Sequence, residues 1–210
     1  MLNGIDVHDG QGDVGWRTVA AHSQFAFIRG AYGDRADARY QDNYEGCKAN
    51  GLPVGLYHFF RATRDAQKQA DVMCGVLETV GFGTGDLSPV IDVEDNPHYD
   101  GPWNTANNGK YLAGLQLWLS QIAHTFPKCK PIVYTRADFW RTLGAPGGFD
   151  QYPLWVAHYT HNPQPLLPGG WESYSFWQFS ASAQVDGVSG GCDVNRFLGD
   201  DVLLHSMLVP

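Results

Sequence analysis

Short apolar runs alternate along this chain with longer stretches in which apolar residues recur every three or four positions. The runs at 3–7, 25–29, 54–59, 89–94, 131–135, 154–158, 175–179 and 193–197 predict strands. Each is short, several are β-branched or aromatic, and turn residues bound most of them. Helical spacing fills the gaps in the first half. Residues 37–50 put Tyr40, Tyr44 and Cys47 on one face and end at Asn50-Gly51, a helix stop. Residues 64–80 carry Ala70, Met73, Leu77 and Val80 at helical spacing, with Thr63 as the expected N-cap. Residues 106–126 carry Tyr111, Leu115, Trp118 and Ile122, and Pro127 ends the run. Beyond 145 the helical pattern thins, and Pro- and Gly-rich connections such as 160–170 take over.

Strand–helix alternation followed by bare strands predicts an α/β barrel whose last part has lost its helices. No linker or repeat interrupts the chain, so residues 1–210 are expected to form one domain. A doubly wound open sheet is the rival, and it needs a Gly-rich phosphate turn after the first strand. His8-Asp9-Gly10-Gln11-Gly12 stands there instead and fits neither known pattern.

Composition narrows the partners. Apolar residues make up 43% of the 210 and charged residues 17%, which excludes a disordered chain. Lys and Arg number 14 against 22 Asp and Glu, a net charge of -8. Nucleic acid and anionic membrane surfaces are therefore disfavoured. No apolar run approaches the ~18 residues of a membrane span, so no membrane insertion is expected. The opening Met-Leu-Asn-Gly-Ile-Asp lacks a basic segment and an apolar core, so no signal peptide is expected. Cys47, Cys74, Cys129 and Cys192 show no C-x-x-C spacing and read as reduced, core-filling residues, with a disulfide as the minority reading.

In such barrels chemistry sits where the strands end. The strand ends here present Asp6, then Tyr57-His58-Phe59, Asp92-Val93-Glu94-Asp95, Tyr134-Thr135, Trp155 with His158, Trp177-Gln178, and Asp193-Val194-Asn195. Asp92 and Glu94 are the sharpest pair. Residues two apart on a strand share a face, about 6.6 Å apart along the chain. Two carboxylates on one buried face repel, so one pKa rises and an acid and a base coexist. Splitting a glycosidic bond requires that division of labour. A solvated D-x-E loop is the bland alternative, but the apolar Pro89-Val90-Ile91 before it and the placing of Asp6 and Asp193 argue against it.

Aromatic residues are 13% of the chain, and sugars lay their C–H faces on such rings. Tyr57, Tyr134 and Trp155 are candidates at strand ends. Tyr99 and Trp103 lie on the long loop 95–108, a predicted rim. His58 and Gln178 complete the set of substrate-binding candidates. His8, His58 and His158 near strand ends invite a metal-hydrolase reading, but no H-x-H or H-E-x-x-H anchors it. No G-x-S-x-G supports a serine nucleophile.

Read in order, these segments resemble the glycoside hydrolase family 25 lysozymes, the Chalaropsis-type N-acetylmuramidases, including phage endolysins. The resemblance rests on Gly4-Ile5-Asp6-Val7 with Gln11-Gly12 and Trp16, Phe25-Ala26-Phe27-Ile28-Arg29, Asn43-Tyr44, Gly51-Leu52 and Gly55-Leu56-Tyr57-His58-Phe59. It continues through Pro89-Val90-Ile91-Asp92-Val93-Glu94, Val133-Tyr134-Thr135 with Phe139-Trp140, and Leu154-Trp155-Val156-Ala157-His158-Tyr159. Phe176-Trp177-Gln178-Phe179, Gly187-Val188 and Asp193-Val194-Asn195-Arg196-Phe197 complete it. The resemblance implies a flattened, irregular TIM-like barrel of eight strands with helices missing in the C-terminal part. It implies cleavage of the β-1,4 bond between N-acetylmuramic acid and N-acetylglucosamine in bacterial peptidoglycan. Glu94 is then the general acid/base, and Asp92 orients the substrate's N-acetyl group or acts on the anomeric centre. Asp6 and Asp193 position substrate and tune Glu94, while Tyr57, Tyr134 and Trp155 line the cleft. No metal or cofactor is implied, and a monomer is expected.

Two departures mark this chain. His8 stands where the family usually has Ser, and Ala31-Tyr32-Gly33 replaces a frequent Thr-Glu-Gly. The chain also ends soon after Asp193-Val194-Asn195, so no appended wall-binding domain is expected. Release through a phage lysis pore is the expected route to the wall, with delivery by a secretion machine second. Two other readings stay open at this stage: a non-catalytic glycan-binding module on the same scaffold, and a metal-dependent amidase or deacetylase.

Overall fold

Alternate residues of a strand face opposite ways, and here both faces of the sheet are apolar, so the sheet must be covered on both sides. In the computed structural model, which describes residues 1–210, it does so by closing into a barrel wrapped on its outside by helices. The strands are β1 (Leu2–Val7), β2 (Phe25–Tyr32), β3 (Arg35–Ala36), β4 (Val54–Phe59), β5 (Val90–Val93), β6 (Ile132–Thr135), β7 (Leu154–Ala157), β8 (Phe176–Gln184) and β9 (Gly191–Phe197). The helices are α1 (Trp16–Ala20), α2 (Tyr40–Ala49), α3 (Ala66–Thr79), α4 (Pro97–Asp100), α5 (Asn108–Thr125), α6 (Ala137–Thr142) and α7 (Asp201–Ser206).

Around the barrel the order is β1-β9-β8-β7-β6-β5-β4-β2, closed by parallel pairing of β1 with β2. The pairings from β2 through β4, β5, β6 and β7 to β8 are parallel. The last strand departs from a TIM-like barrel: β9 is antiparallel to both β8 and β1, because β8 and β9 form a hairpin rather than a crossover. The two-residue β3 only extends the edge of β2.

Inward residues fill the barrel with Phe25, Phe27, Val90, Ile132, Phe176 and Phe197. Gly4 and Gly55 face the same interior; a Cβ at Gly4 would lie 2.5 Å from the Phe25 ring, and one at Gly55 2.7 Å from the Phe27 ring. Leu204 of α7, with Leu87, packs against these rings and closes the barrel at the end opposite the polar strand tips. Outward residues such as Ile28, Leu56, Ile91 and Val133 form a second, larger core. There α2 and α3 pack against β2, α3 packs against α5, and α5 lies on β5.

The long helices follow their predicted faces with shifted ends. α3 is capped by Asp65, whose carboxylate accepts from the Lys68 N–H at 2.9 Å, rather than by Thr63. α2 stops at Asn50-Gly51 as expected, with Gly51 at a positive φ of 69°. The four cysteines are all buried and unpaired. No helix is long and apolar enough to cross a membrane.

Candidate active site

The inward stripe of each strand turns polar at one end of the barrel. Asp6 follows Gly4 on β1, Arg29 follows Phe25 and Phe27 on β2, Tyr57 follows Gly55 on β4, and Asp92 follows Val90 on β5. Tyr134, Trp155 and Gln178 occupy the same level on β6, β7 and β8. Because β9 runs the other way, Asp193 near its start reaches this end too, directly opposite Asp6. Together with His8, Phe59 and Glu94 these residues line a cavity of about 200 Å³.

A hydrogen-bond network ties the cavity floor together. Asp6 Oδ2 accepts from Gln178 Nε2 at 2.9 Å and from Asn195 Nδ2 at 2.7 Å. The other end of Gln178 accepts from the hydroxyls of Tyr134 at 2.9 Å and Tyr159 at 2.7 Å. Trp155 Nε1 donates to Asn195 Oδ1 at 2.8 Å, and the Trp155 ring stacks on Phe27 with centroids 4.4 Å apart. Asp92 is different: it is only 4% exposed, and its buried Oδ1 has no partner within the protein. A buried acceptor in that condition is costly unless something else satisfies it.

Crowding four carboxyls in this space shifts their protonation. Burial pushes the Asp92 carboxyl well up, the charges of Glu94 and Asp6 add to the rise, and the Arg29 guanidinium opposes it. Burial likewise raises Asp6, helped by the charge of Asp193. Glu94 is raised to about 7, chiefly by burial; nearby Arg136 pulls it down, while Asp95 and Asp193 push it up. Asp193 is raised by burial, against a hydrogen bond from Asp6 and the charge of His8. Burial and mutual repulsion thus push Asp6 and Asp92 upward, and near neutral pH Glu94 exchanges a proton readily. That is the behaviour of a general acid/base.

The sequence profile of the Glycosyl hydrolases family 25 matches residues 5–188. The chain belongs to glycoside hydrolase family 25. Among its family 25 relatives, Lysozyme M1 of Streptomyces globisporus is 31% identical, over 98% of this chain and 71% of its own length. The Escherichia coli K12 protein YegX is 35% identical, over 94% of this chain and 70% of its own. Among solved structures, the bacterial lysozyme from Streptomyces coelicolor superposes with a TM-score of 0.85 at 29% identity, covering 99% of this chain and 96% of that one.

Most of the residues singled out from the sequence meet in the family 25 cleft. Asp6, Asp92, Glu94, Asp193, Tyr57, Tyr134, Trp155 and Gln178 all line the one cavity. Trp155, however, is only 1% exposed, so it forms the floor rather than an open platform. His58 does not belong to the site. It is one residue past inward-facing Tyr57, so it points outward into the helical layer and is fully buried. Its Nδ1 accepts from Trp118 Nε1 at 3.0 Å and its Nε2 donates to the Gly33 carbonyl at 2.8 Å. Burial pushes its pKa down to about 4, so it stays neutral. Tyr99 lies outside the cavity. It is 70% exposed on α4, edge-on to Tyr32 and near the Arg61 guanidinium, at the rim. Trp103 packs edge-on against Tyr111 and Phe139 and is structural.

The histidines near strand ends do not converge. His8 sits at the cleft lip, where its Nδ1 accepts from the Gly10 N–H at 2.9 Å. His158 Nδ1 accepts from the Leu166 N–H at 2.9 Å.

Two residues of the site escaped the reading of the strand tips. Arg29 is clamped by Asp37, with Nε to Oδ2 at 2.7 Å, and by Asp9. Its inward parity with Phe25 and Phe27 was the available signal. Tyr159 enters through Gln178, a contact visible only once β7 and β8 are side by side, while Asn195, read at its strand end, is tied to Asp6.

Proposed function

We propose that this chain is a lysozyme of the N-acetylmuramidase type, hydrolysing the β-1,4 bond between N-acetylmuramic acid and N-acetylglucosamine in bacterial peptidoglycan. The observation that carries the reading is the Asp92–Glu94 pair at the end of β5, with Glu94 raised to about 7. The lysozyme names of the family 25 relatives and structures point the same way.

In this reading the Glu94 carboxyl gives its proton to the glycosidic oxygen as the C1–O bond breaks. Charge developing at C1 is met by the carbonyl oxygen of the substrate's own N-acetyl group. Asp92 orients that group: its buried, unpartnered Oδ1 accepts the acetamido N–H. Water then attacks C1, and the Glu94 carboxylate takes its proton. Asp6 and Asp193, locked to Gln178 and Asn195, hold the floor of the cleft and set the field at Glu94.

Purified protein should clear a suspension of peptidoglycan and release reducing sugar ends, and Glu94→Gln should not. Binding without release by the wild type would point to a glycan-binding module instead. Loss of activity on adding a chelator would point to a metal-dependent enzyme. We attach to this reading the action of a monomer on the cell wall, released from the host cytoplasm through a phage lysis pore. Expression with and without a pore-forming protein tests that route: lysis only with the pore supports it, and lysis without it favours a secretion machine.

A further inference from the structure

The helices that cover β2 to β6 have no counterpart over β8 and β9, and there the outer wall of the barrel carries a second groove of about 680 Å³. Trp177 and Phe179 face outward on β8, and Arg196 faces outward on β9, paired across the hairpin with Trp177. The Arg196 guanidinium carbon lies 4.2 Å from the Phe179 ring centroid and 5.4 Å from that of Trp177. Stacking fixes the plane of a guanidinium and leaves its N–H edge free. Here that edge is unused, because Arg196 takes part in none of the ion pairs that hold Arg29, Arg39, Arg61, Arg64 and Arg136.

The lining of the groove carries no negative charge. On a chain of net charge -8, no Asp or Glu lines it; His161, Asn162, Thr160 and the serines of β8 do. It adjoins the cleft through one side chain. Tyr159 lines the groove, and its hydroxyl donates to Gln178 Oε1 at 2.7 Å inside the barrel mouth.

We propose that this groove binds the peptide stem that branches from muramic acid, with Arg196 taking a stem carboxylate and Tyr159 serving as the wall shared with the glycan cleft. The inference rests on the muramidase reading, since that substrate carries a peptide on the sugar bound in the cleft. A planar guanidinium with a free edge matches a carboxylate in a bidentate contact. The amide-rich, uncharged remainder of a stem suits the neutral polar lining.

The test separates the two readings by using free peptide first. A synthetic stem pentapeptide, L-Ala-γ-D-Glu-L-Lys-D-Ala-D-Ala, is titrated into the protein while the Trp177 indole N–H resonance is followed. We expect saturable binding, weakened roughly tenfold by Arg196→Gln and similarly by amidating the peptide carboxylates. Arg196→Lys, which keeps charge and stem length, should retain part of the affinity. In the second arm, Arg196→Gln should raise KM about five- to tenfold on peptide-bearing glycan oligomers and leave kcat unchanged. On glycan stripped of peptides it should change neither constant. The proposal is overturned by absent peptide binding, by binding indifferent to amidation, by acetate shifting the resonance equally well, or by a KM rise of equal size on stripped glycan. Peptide binding by a wild-type protein that cleaves no glycan would sink the muramidase reading and leave the groove assignment standing.

Discussion

His58 is held neutral in the core by burial and by its bonds to Trp118 and Gly33, so its removal should cost stability and spare the chemistry. We expect His58→Ala to lower stability by about 2–4 kcal/mol in a urea titration, from the cavity and two lost hydrogen bonds. Well below the melting transition, its kcat and KM should stay close to wild type; a large rise in KM would return His58 to the site. The error in reading His58 from sequence is one of parity. Tyr57-His58-Phe59 ends a strand buried on both faces, where the alternation that separates cleft from core is invisible. Arg29 illustrates the converse. It follows Phe25 and Phe27 on one stripe, and an inward cation is unexpected until buried Asp37 is seen to hold it. Asp92 and Glu94 were legible because an acid pair after an apolar run has few other uses.

At the level of elements, the rim segment of α4 is tethered by the Arg61–Asp100 ion pair, whose side chains are 6% and 10% exposed. Asp100 also accepts from the Thr63 hydroxyl, while Asp65, directly before α3, supplies the helix cap. Breaking a pair this buried by removing one partner costs on the order of 3–5 kcal/mol. Asp100→Ala should therefore lower the melting temperature and speed amide exchange across residues 97–104, while core amides of β5 keep their protection. Unchanged exchange at the rim would show that other contacts hold it. The strands were readable as short apolar runs, and α3 and α5 by their periodicity. The single-turn helices α1, α4, α6 and α7 were not, because one turn carries too little repeat to register. The antiparallel course of β9 was hidden as well, since a strand pattern carries no direction. Asp193 was placed correctly even so: at the start of an antiparallel strand it reaches the mouth that Asp6 and Asp92 reach at the ends of theirs.

For the whole molecule, the cleft is a place where folding works against ionisation. A carboxyl whose pKa rises on folding favours the folded state while it is protonated. For Glu94 that contribution is complete below its unfolded value of about 4.3 and is lost as pH climbs through about 7. Asp6 and Asp92 are shifted in the same direction. Glu94→Gln should thus melt at the wild-type temperature at pH 4 and roughly 6–14 °C higher at pH 8, corresponding to about 3–4 kcal/mol. Equal melting temperatures at both pH values would mean that Glu94 ionises without strain. The same titration governs turnover: as the acid, Glu94 must be protonated, so kcat/KM should fall tenfold per pH unit above about 7. The central claim is that this barrel mouth cuts one particular glycosidic bond with Glu94 as its acid, and mass spectrometry of the products from purified peptidoglycan tests it most directly. Wild type should yield fragments with a reducing muramic acid end, and Glu94→Gln should yield them at least about a hundredfold more slowly. Fragments ending in reducing N-acetylglucosamine, or equal yields from the variant, would contradict it.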